Sequence, residues 1–307
     1  MAGVITTGNI SRLLQEGVAN VFGQAYNEHP AEHTMLFNEE SSRKSFELDQ
    51  QFEGFGLAPQ KQEGAGVSYD SQQEGFTPKY PNLTYAKGFI VTREAMEDNL
   101  YDLFARRARA LAFSMNQTKE TVAANVYNRA FNSSYLMEGG DGVELLSTAH
   151  VRGPSDSTTF SNELATPAAL SEASLEDLMI QIAQAKDARG LNIAIRGERL
   201  IVPPALAFEA ERILNSVLQN DTGNNAVNAI RSTGVLPAGH MVNHYLTSNT
   251  AWFVKTNAPD GMKYWNRQAV RFEQDNDFGT SNARFKADER YAYGWTDPRG
   301  LYGSAGV

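Results

Sequence analysis

Two histidines flank an acidic residue at His29-Pro30-Ala31-Glu32-His33. This is the H-x-x-E-H order in which one helix presents two imidazoles to zinc and a carboxylate beside them activates water. Pro30 argues against that use, because a proline pushes the residue before it into extended backbone, so His29 and His33 need not share a face. The sequence identifies neither a third ligand nor an apolar helix for the motif. His240 and His244 repeat the four-residue step with no acid between them, in a strand-like segment that sets both rings on one side and reads as core or solvated histidine. Asp275, Asp277 and Gly279 begin like a calcium loop, but the twelfth position counted from Asp275 is Lys286, where a bidentate glutamate is required. There is no cysteine, which excludes disulfides, thiolate nucleophiles and zinc ribbons. No phosphate loop, dinucleotide fingerprint or nucleophile-elbow serine is present. The chain therefore reads as no enzyme, with no catalytic residue, metal or cofactor; a zinc hydrolase built on His29, Glu32 and His33 is the remote alternative.

Arg106, Arg107 and Arg109 form the densest basic cluster. Two readings of it stay open. It is either a solvated helix face paired with Asp98 and Asp102, the latter four residues before Arg106, or a contact for a polyanion that is salt-sensitive and indifferent to base sequence. The chain as a whole is acidic, with 27 Lys and Arg against 36 Asp and Glu for a net charge of −9, which excludes a surface that grips nucleic acid everywhere. With 307 residues, 41% hydrophobic and 21% charged, it has the composition of a folded chain with a large core. The longest apolar stretch, Leu200 to Phe208, holds Pro203 and Pro204 and falls far short of the ~20 residues of a membrane span. The start lacks the basic and apolar regions of a secretory signal, so the expectation is a chain that stays in the cytoplasm where it is made.

The elements that would carry these residues follow from periodicity. Ile10, Leu13, Leu14, Val18, Val21 and Phe22 recur at helical spacing behind Asn9, a good N-cap. This helix either docks on its own core or reaches a neighbouring subunit. Phe46, Leu48, Gln50 and Phe52 alternate like one strand face, and Leu83, Tyr85, Lys87, Phe89 and Val91 like another. The Gly- and Pro-rich stretch between them is too polar to build a core and reads as a long protruding hairpin whose backbone needs partners elsewhere. From Phe89 to Glu138 there is neither Gly nor Pro. Met96, Leu100, Leu103, Phe104, Leu111, Met115, Val122 and Val126 form a helical stripe there, behind Thr92 as N-cap with Glu94 and Glu97 in the first turn. A helix over Arg93 to Phe131 would be a spine about 58 Å long at ~1.5 Å per residue.

Beyond the Gly139-Gly140-Asp141-Gly142 turn, Ser171 or Ser174 caps a helix with Leu175, Leu178, Met179, Ile182 and Ala185 inside and Gly190 as its C′ residue. Arg199 to Val202 reads as a buried strand. Pro203-Pro204 then opens a second helix with Leu206, Ala210, Ile213, Leu214, Val217 and Leu218 inside. Residues 220–225 form an exposed turn, followed by short strands at Met241 to Leu246, Ala251 to Thr256 and Met262 to Trp265. Phe285, Ala287, Glu289, Tyr291 and Tyr293 share one face of a long strand that ends at Asp297-Pro298-Arg299-Gly300.

In this order, the segments FELDQQFEGFG, LTYAKGFIVTREAMEDNLYD, DGVELLSTAH and RFKADERYAYGWTDPRGLYGSAG resemble the major capsid proteins of tailed bacteriophages, of the Hong Kong 97-type capsid fold. The resemblance implies an α+β fold with an N-terminal arm (1–40), an extended β-hairpin loop (45–91), and a peripheral domain with the spine helix (92–150). It further implies an axial α/β domain (151–265) and a C-terminal return to the peripheral domain (266–307). It implies self-assembly as pentamers and hexamers into an icosahedral shell around double-stranded DNA, which is touched without base specificity by Arg106, Arg107 and Arg109. The expected location is the virion capsid, assembled in the host cytoplasm with no membrane, with a portal as partner. Some members carry a cleaved N-terminal scaffolding segment, for which the residues before the loop leave no room, so a separate scaffolding protein is expected. Encapsulins, which share the fold and enclose enzymes, are the alternative.

Overall fold

The computed structural model describes residues 8–92, 94–95, 101–218, 226–277, 279 and 282–307. The sequence expectations for Asp98, for Met96, Leu100 and Glu97, for the side chains of Asp102 and Leu103, and for the turn at 220–225 lie outside the described residues.

Helix α1 (Gly8–Asn27) and the short α2 (His33–Leu36) lead into strands β1 (Asn38–Ser41), β2 (Phe46–Leu48), β3 (Lys79–Pro81) and β4 (Leu83–Val91). The spine helix α3 (Tyr101–Asn128) follows, then the hairpin of β5 (His150–Gly153) and β6 (Asp156–Phe160). Next come α4 (Glu172–Ala183), β7 (Gly197–Val202), α5 (Ala207–Asn215), α6 (Ala229–Thr233), β8 (His240–Val242) and β9 (Trp252–Thr256). The chain closes with β10 (Met262–Asn276), β11 (Ala283–Trp295) and β12 (Leu301–Ser304).

Two four-stranded sheets organise the molecule, in the orders β1-β10-β11-β4 and β12-β9-β7-β8. On the first, Phe285 and Ala287 of β11 and Val91 of β4 pack beneath Phe104, Ala108, Leu111, Ala112 and Met115 of the spine, with Val18, Phe22 and Ala25 of α1 in the same cluster. The described part of α1 is thus docked on its own core, and it is already helical at Gly8, so Asn9 lies inside the helix rather than capping it. On the second sheet, Leu200, Val202, Trp252 and Val254 meet Leu175, Leu178 and Ile182 of α4 and Ala210 and Ile213 of α5. A third cluster joins the sheets, bringing Val126 and Tyr127 from the end of the spine against Ile201, Phe253, Met262, Trp295 and Leu301.

Several boundaries shift from expectation for identifiable reasons. The spine stops at Asn128 rather than Phe131, where the Ala130 amide bonds the Tyr127 carbonyl at 3.1 Å and the Asn132 amide that of Arg129 at 3.0 Å, three-residue steps that tighten the chain into turns. The Thr92 hydroxyl accepts from the Ala95 amide at 3.4 Å, as an N-cap would at that position. Ser171 and Ser174 both serve α4, one as N-cap and the other reciprocating in a capping box. Gly190 is not that helix's C′ residue; it lies at φ 78° in a separate turn around Asp187. Helix α5 ends at Asn215, which leaves Val217 and Leu218 exposed instead of inside. Strand β8 is only His240–Val242, and β10 runs unbroken past Trp265 to Asn276. The last strand, β12, pairs with β9 and so belongs to the second sheet.

Candidate functional site

The residues of the zinc-like motif are dispersed into three packing roles. A bend at Glu28 and His29 and irregular backbone at Pro30 and Ala31 separate α1 from α2, which starts only at His33, so the two histidines never share a helix. The His29 ring lies against Phe113, the centroids 4.9 Å apart. His33 is buried, with Nδ1 2.5 Å from Glu120 Oε1 and its backbone amide donating to Glu120 Oε2 at 2.9 Å. Glu32 instead receives the His244 backbone amide at 3.0 Å and lies 2.6 Å from His244 Nδ1. His240 faces Glu211 at 3.8 Å, and His244 lies beyond β8 in a turn, so the two do not act from one strand face. In the imitation calcium loop, Asp277 holds Arg284 and accepts the Gly279 amide at 3.1 Å, while Lys286 pairs with Glu273 at 2.8 Å. Among the described residues no group of three or more His, Asp or Glu is arranged to hold a metal ion, and no helix is long and apolar enough to cross a membrane.

The structure concentrates unpartnered surface on the extended loop instead. Its limbs are β2 and β3, and the pairing continues through Asp49 to the Pro78 carbonyl at 3.0 Å, Gln51 to Phe76 at 2.9 Å and Glu53 to Gln73 at 3.0 Å. Leu83 to Val91, which alternates as expected, is not the second limb: it pairs with β11 in the first sheet. The loop's base is pinned by buried Lys263, whose ammonium binds Asp49 and, at 2.9 Å, Asp260. Burial alone would lower that lysine's pKa; its hydrogen bonds to the two carboxylates override the loss of solvent and raise it. Tyr80 and Thr296 share a hydrogen bond of 2.6 Å beside this pair. From this base outward, Phe52, Phe55, Leu57, Val67 and Tyr69 stand in solvent, Leu57 at 81% and Tyr69 at 94% exposure. A monomer rarely leaves so many large apolar groups on one segment without a partner.

A second feature lies beneath the spine. Glu289, on the apolar face of β11, is wholly buried, with the Tyr26 hydroxyl donating to it at 3.1 Å and Lys119 Nζ 3.7 Å away. Burial raises its pKa, and Lys119 offsets that only in part. A charged residue inside the alternating run Phe285, Ala287, Glu289, Tyr291 was a visible sign of a buried polar site. Nothing in the local sequence marked Lys119 or Tyr26 as its partners.

Arg106, Arg107 and Arg109 are all exposed, on the side of the spine away from Phe104, Ala108 and Leu111. Arg107 Nη1 lies 3.5 Å from the Ile90 carbonyl at the edge of the sheet.

These surfaces have relatives. The sequence profile of a family described as phage capsid protein matches residues 77–304. No sequence among the curated proteins matches the chain. In three dimensions it is similar to the capsid of a native GTA particle, at 12% identity and a TM-score of 0.57 over 89% of each chain. It is also similar to the capsid of Myoviridae phage XM1, at 11% identity and a TM-score of 0.55 over 92% of this chain and 94% of that one. Mycobacterium phage Che8 gives 16% identity and a TM-score of 0.52 over 89% and 90%. Together with the paired sheets, the spine helix and the long hairpin, the match over most of the chain shows that this protein belongs to the phage capsid protein family, as a major capsid protein of the Hong Kong 97-type fold.

Proposed function

We propose that this protein assembles with its own copies, as pentamers and hexamers, into an icosahedral shell that encloses double-stranded DNA. The observation that carries the reading is the row of exposed apolar side chains on the extended loop, Phe52, Phe55, Leu57, Val67 and Tyr69, on a segment with no core of its own. Symmetric assembly uses such a surface once per subunit, and closure multiplies each modest contact. In this reading residues 1–40 are the arm, and the extended loop, expected over 45–91, ends before β4 (Leu83–Val91), which belongs to the first sheet. Residues 92–150 and 266–307 form the peripheral domain and 151–265 the axial domain, except that β12 (Leu301–Ser304) returns to the axial sheet beside β9. Arg106, Arg107 and Arg109 face the packaged DNA, and a separate scaffolding protein and a portal complete the assembly. The protein performs no catalysis in this role.

Electron microscopy and light scattering of the purified protein, alone and with a candidate scaffold, test the proposal. Closed shells that protect DNA from nuclease are expected in infected cells, and closed empty shells from the purified components. Monomers under both conditions would overturn it.

A further inference from the structure

Two carboxylates of the extended loop reach back to the body of their own subunit, at places shaped to receive them. Glu53 is buried although the residues after it are exposed, and the Ser155 hydroxyl lies 2.6 and 2.5 Å from its two oxygens. Gly153 forms the floor of this socket, since a Cβ there would collide with the Glu53 carboxylate and press on Ala188 Cβ at 3.1 Å. Further out, Asp70 accepts the Gly56 amide at 2.8 Å and Arg189 Nη1 at 2.7 Å, while Arg189 Nη2 donates to the Ser71 carbonyl at 2.5 Å. Arg189 is itself held out by a turn built for the purpose. Asp187 Oδ1 accepts the amides of Arg189 and Leu191 at 2.9 and 2.7 Å, and Gly190 takes the left-handed backbone, φ 78°, that other residues resist.

Glu53, buried, and Asp70, at the surface, therefore tie the loop to the subunit body while Phe55, Leu57, Val67 and Tyr69 remain exposed. A segment of this length without secondary structure would otherwise sample many conformations, and ordering it at the moment of contact would subtract from the strength of that contact. We infer that Glu53 with Ser155, and Asp70 with Arg189, are positioning pairs that hold the extended loop in the conformation in which its apolar side chains meet a second copy of this chain. The inference rests on the shell reading above. It assigns the two pairs no contact with the partner copy, only the preorganisation of the surface that makes it.

The test combines hydrogen exchange with assembly. In a Glu53→Ala/Arg189→Ala variant, exchange over residues 54–72 should rise at least tenfold while residues 101–128 exchange as in the wild type, which shows that the fold survives. The protein concentration at which particles form should rise at least fivefold. Asp70→Arg and Arg189→Asp should each raise that concentration, and the two together, which restore an ion pair of reversed sense, should lower it again; packing alone would not produce such a rescue. Unchanged exchange over 54–72 overturns the inference, as does assembly at the same or a lower concentration in the variant. Wild-type chains that form no particles with or without scaffold overturn the shell reading, and the exchange difference alone then decides whether the pairs order the loop.

Discussion

The Tyr26 hydroxyl of α1 donates to the wholly buried Glu289 carboxylate of β11 at 3.1 Å, tying the end of the N-terminal helix to the centre of the first sheet. Removing that hydroxyl leaves a buried acceptor short of a partner. Tyr26→Phe should therefore lower stability by about 1–3 kcal/mol, measured by chemical denaturation, with added exchange over residues 18–27.

Glu289 also predicts a pH dependence. Its pKa in the folded protein is raised above the ordinary 4.5 by burial, against the weaker pull of Lys119. The folded state thus binds this proton more tightly than the unfolded chain does. The resulting stability is fully present below the ordinary value and is lost as the pH rises through the raised one. Denaturation of wild type and Glu289→Gln between pH 4 and 8 should show the variant gaining relative to wild type as the pH rises from about 4.5, the ordinary glutamate value. A constant difference across the range would contradict this assignment.

The H-x-x-E-H motif should behave as packing. His33→Ala strips the buried Glu120 of its side-chain partner and should cost about 1–3 kcal/mol, the range for leaving a buried hydrogen-bonding group without its partner. His29→Ala, which takes away the ring lying against Phe113, should cost no more than about 1 kcal/mol. Zinc should leave the Tm of all three proteins unchanged.

The spine sits close to α1 and the sheet because Ala108 and Ala112 are fully buried where they meet. Ala112→Leu should overpack that seam and cost about 1–3 kcal/mol. The same substitution at Ala110, on the exposed side, should change stability by less than about 0.5 kcal/mol.

Arg106, Arg107 and Arg109 are exposed and away from the core. Replacing all three with alanine should leave the unfolding transition nearly unchanged. In filter binding, the slope of log affinity for duplex DNA against log salt should become shallower by about 0.9 for each phosphate that an arginine no longer neutralises. An unchanged slope would place the polyanion-binding surface elsewhere.

Helical and strand periodicity are local properties, and they were legible. The stripe Phe104, Leu111, Met115, Val126 is buried as its spacing required, and so is the alternating face Phe285, Ala287, Glu289, Tyr291. The ordered segments that resemble capsid proteins carried the fold, because the order of elements along a chain survives when individual residues do not. Helix ends were less legible. The spine gives way after Asn128 to the three-residue turns that Ala130 and Asn132 close, and the apolar spacing through this stretch does not mark the change.

Short motifs say least about chemistry, because a motif states which side chains are near in sequence and not what each will face. His29, Glu32 and His33 lie within five positions, yet Phe113, His244 and Glu120 draw them three ways. Likewise the chain alone indicated a long, polar, glycine-rich hairpin in need of partners. Only the tertiary structure decided that Leu83 to Val91 leaves that hairpin for the sheet, and that Glu53 and Asp70 tie it to Ser155 and Arg189. The reason is physical: local sequence sets backbone preference and the period of apolar side chains, whereas the partner of a buried polar group is chosen by whichever distant segment the packed core brings within hydrogen-bond reach.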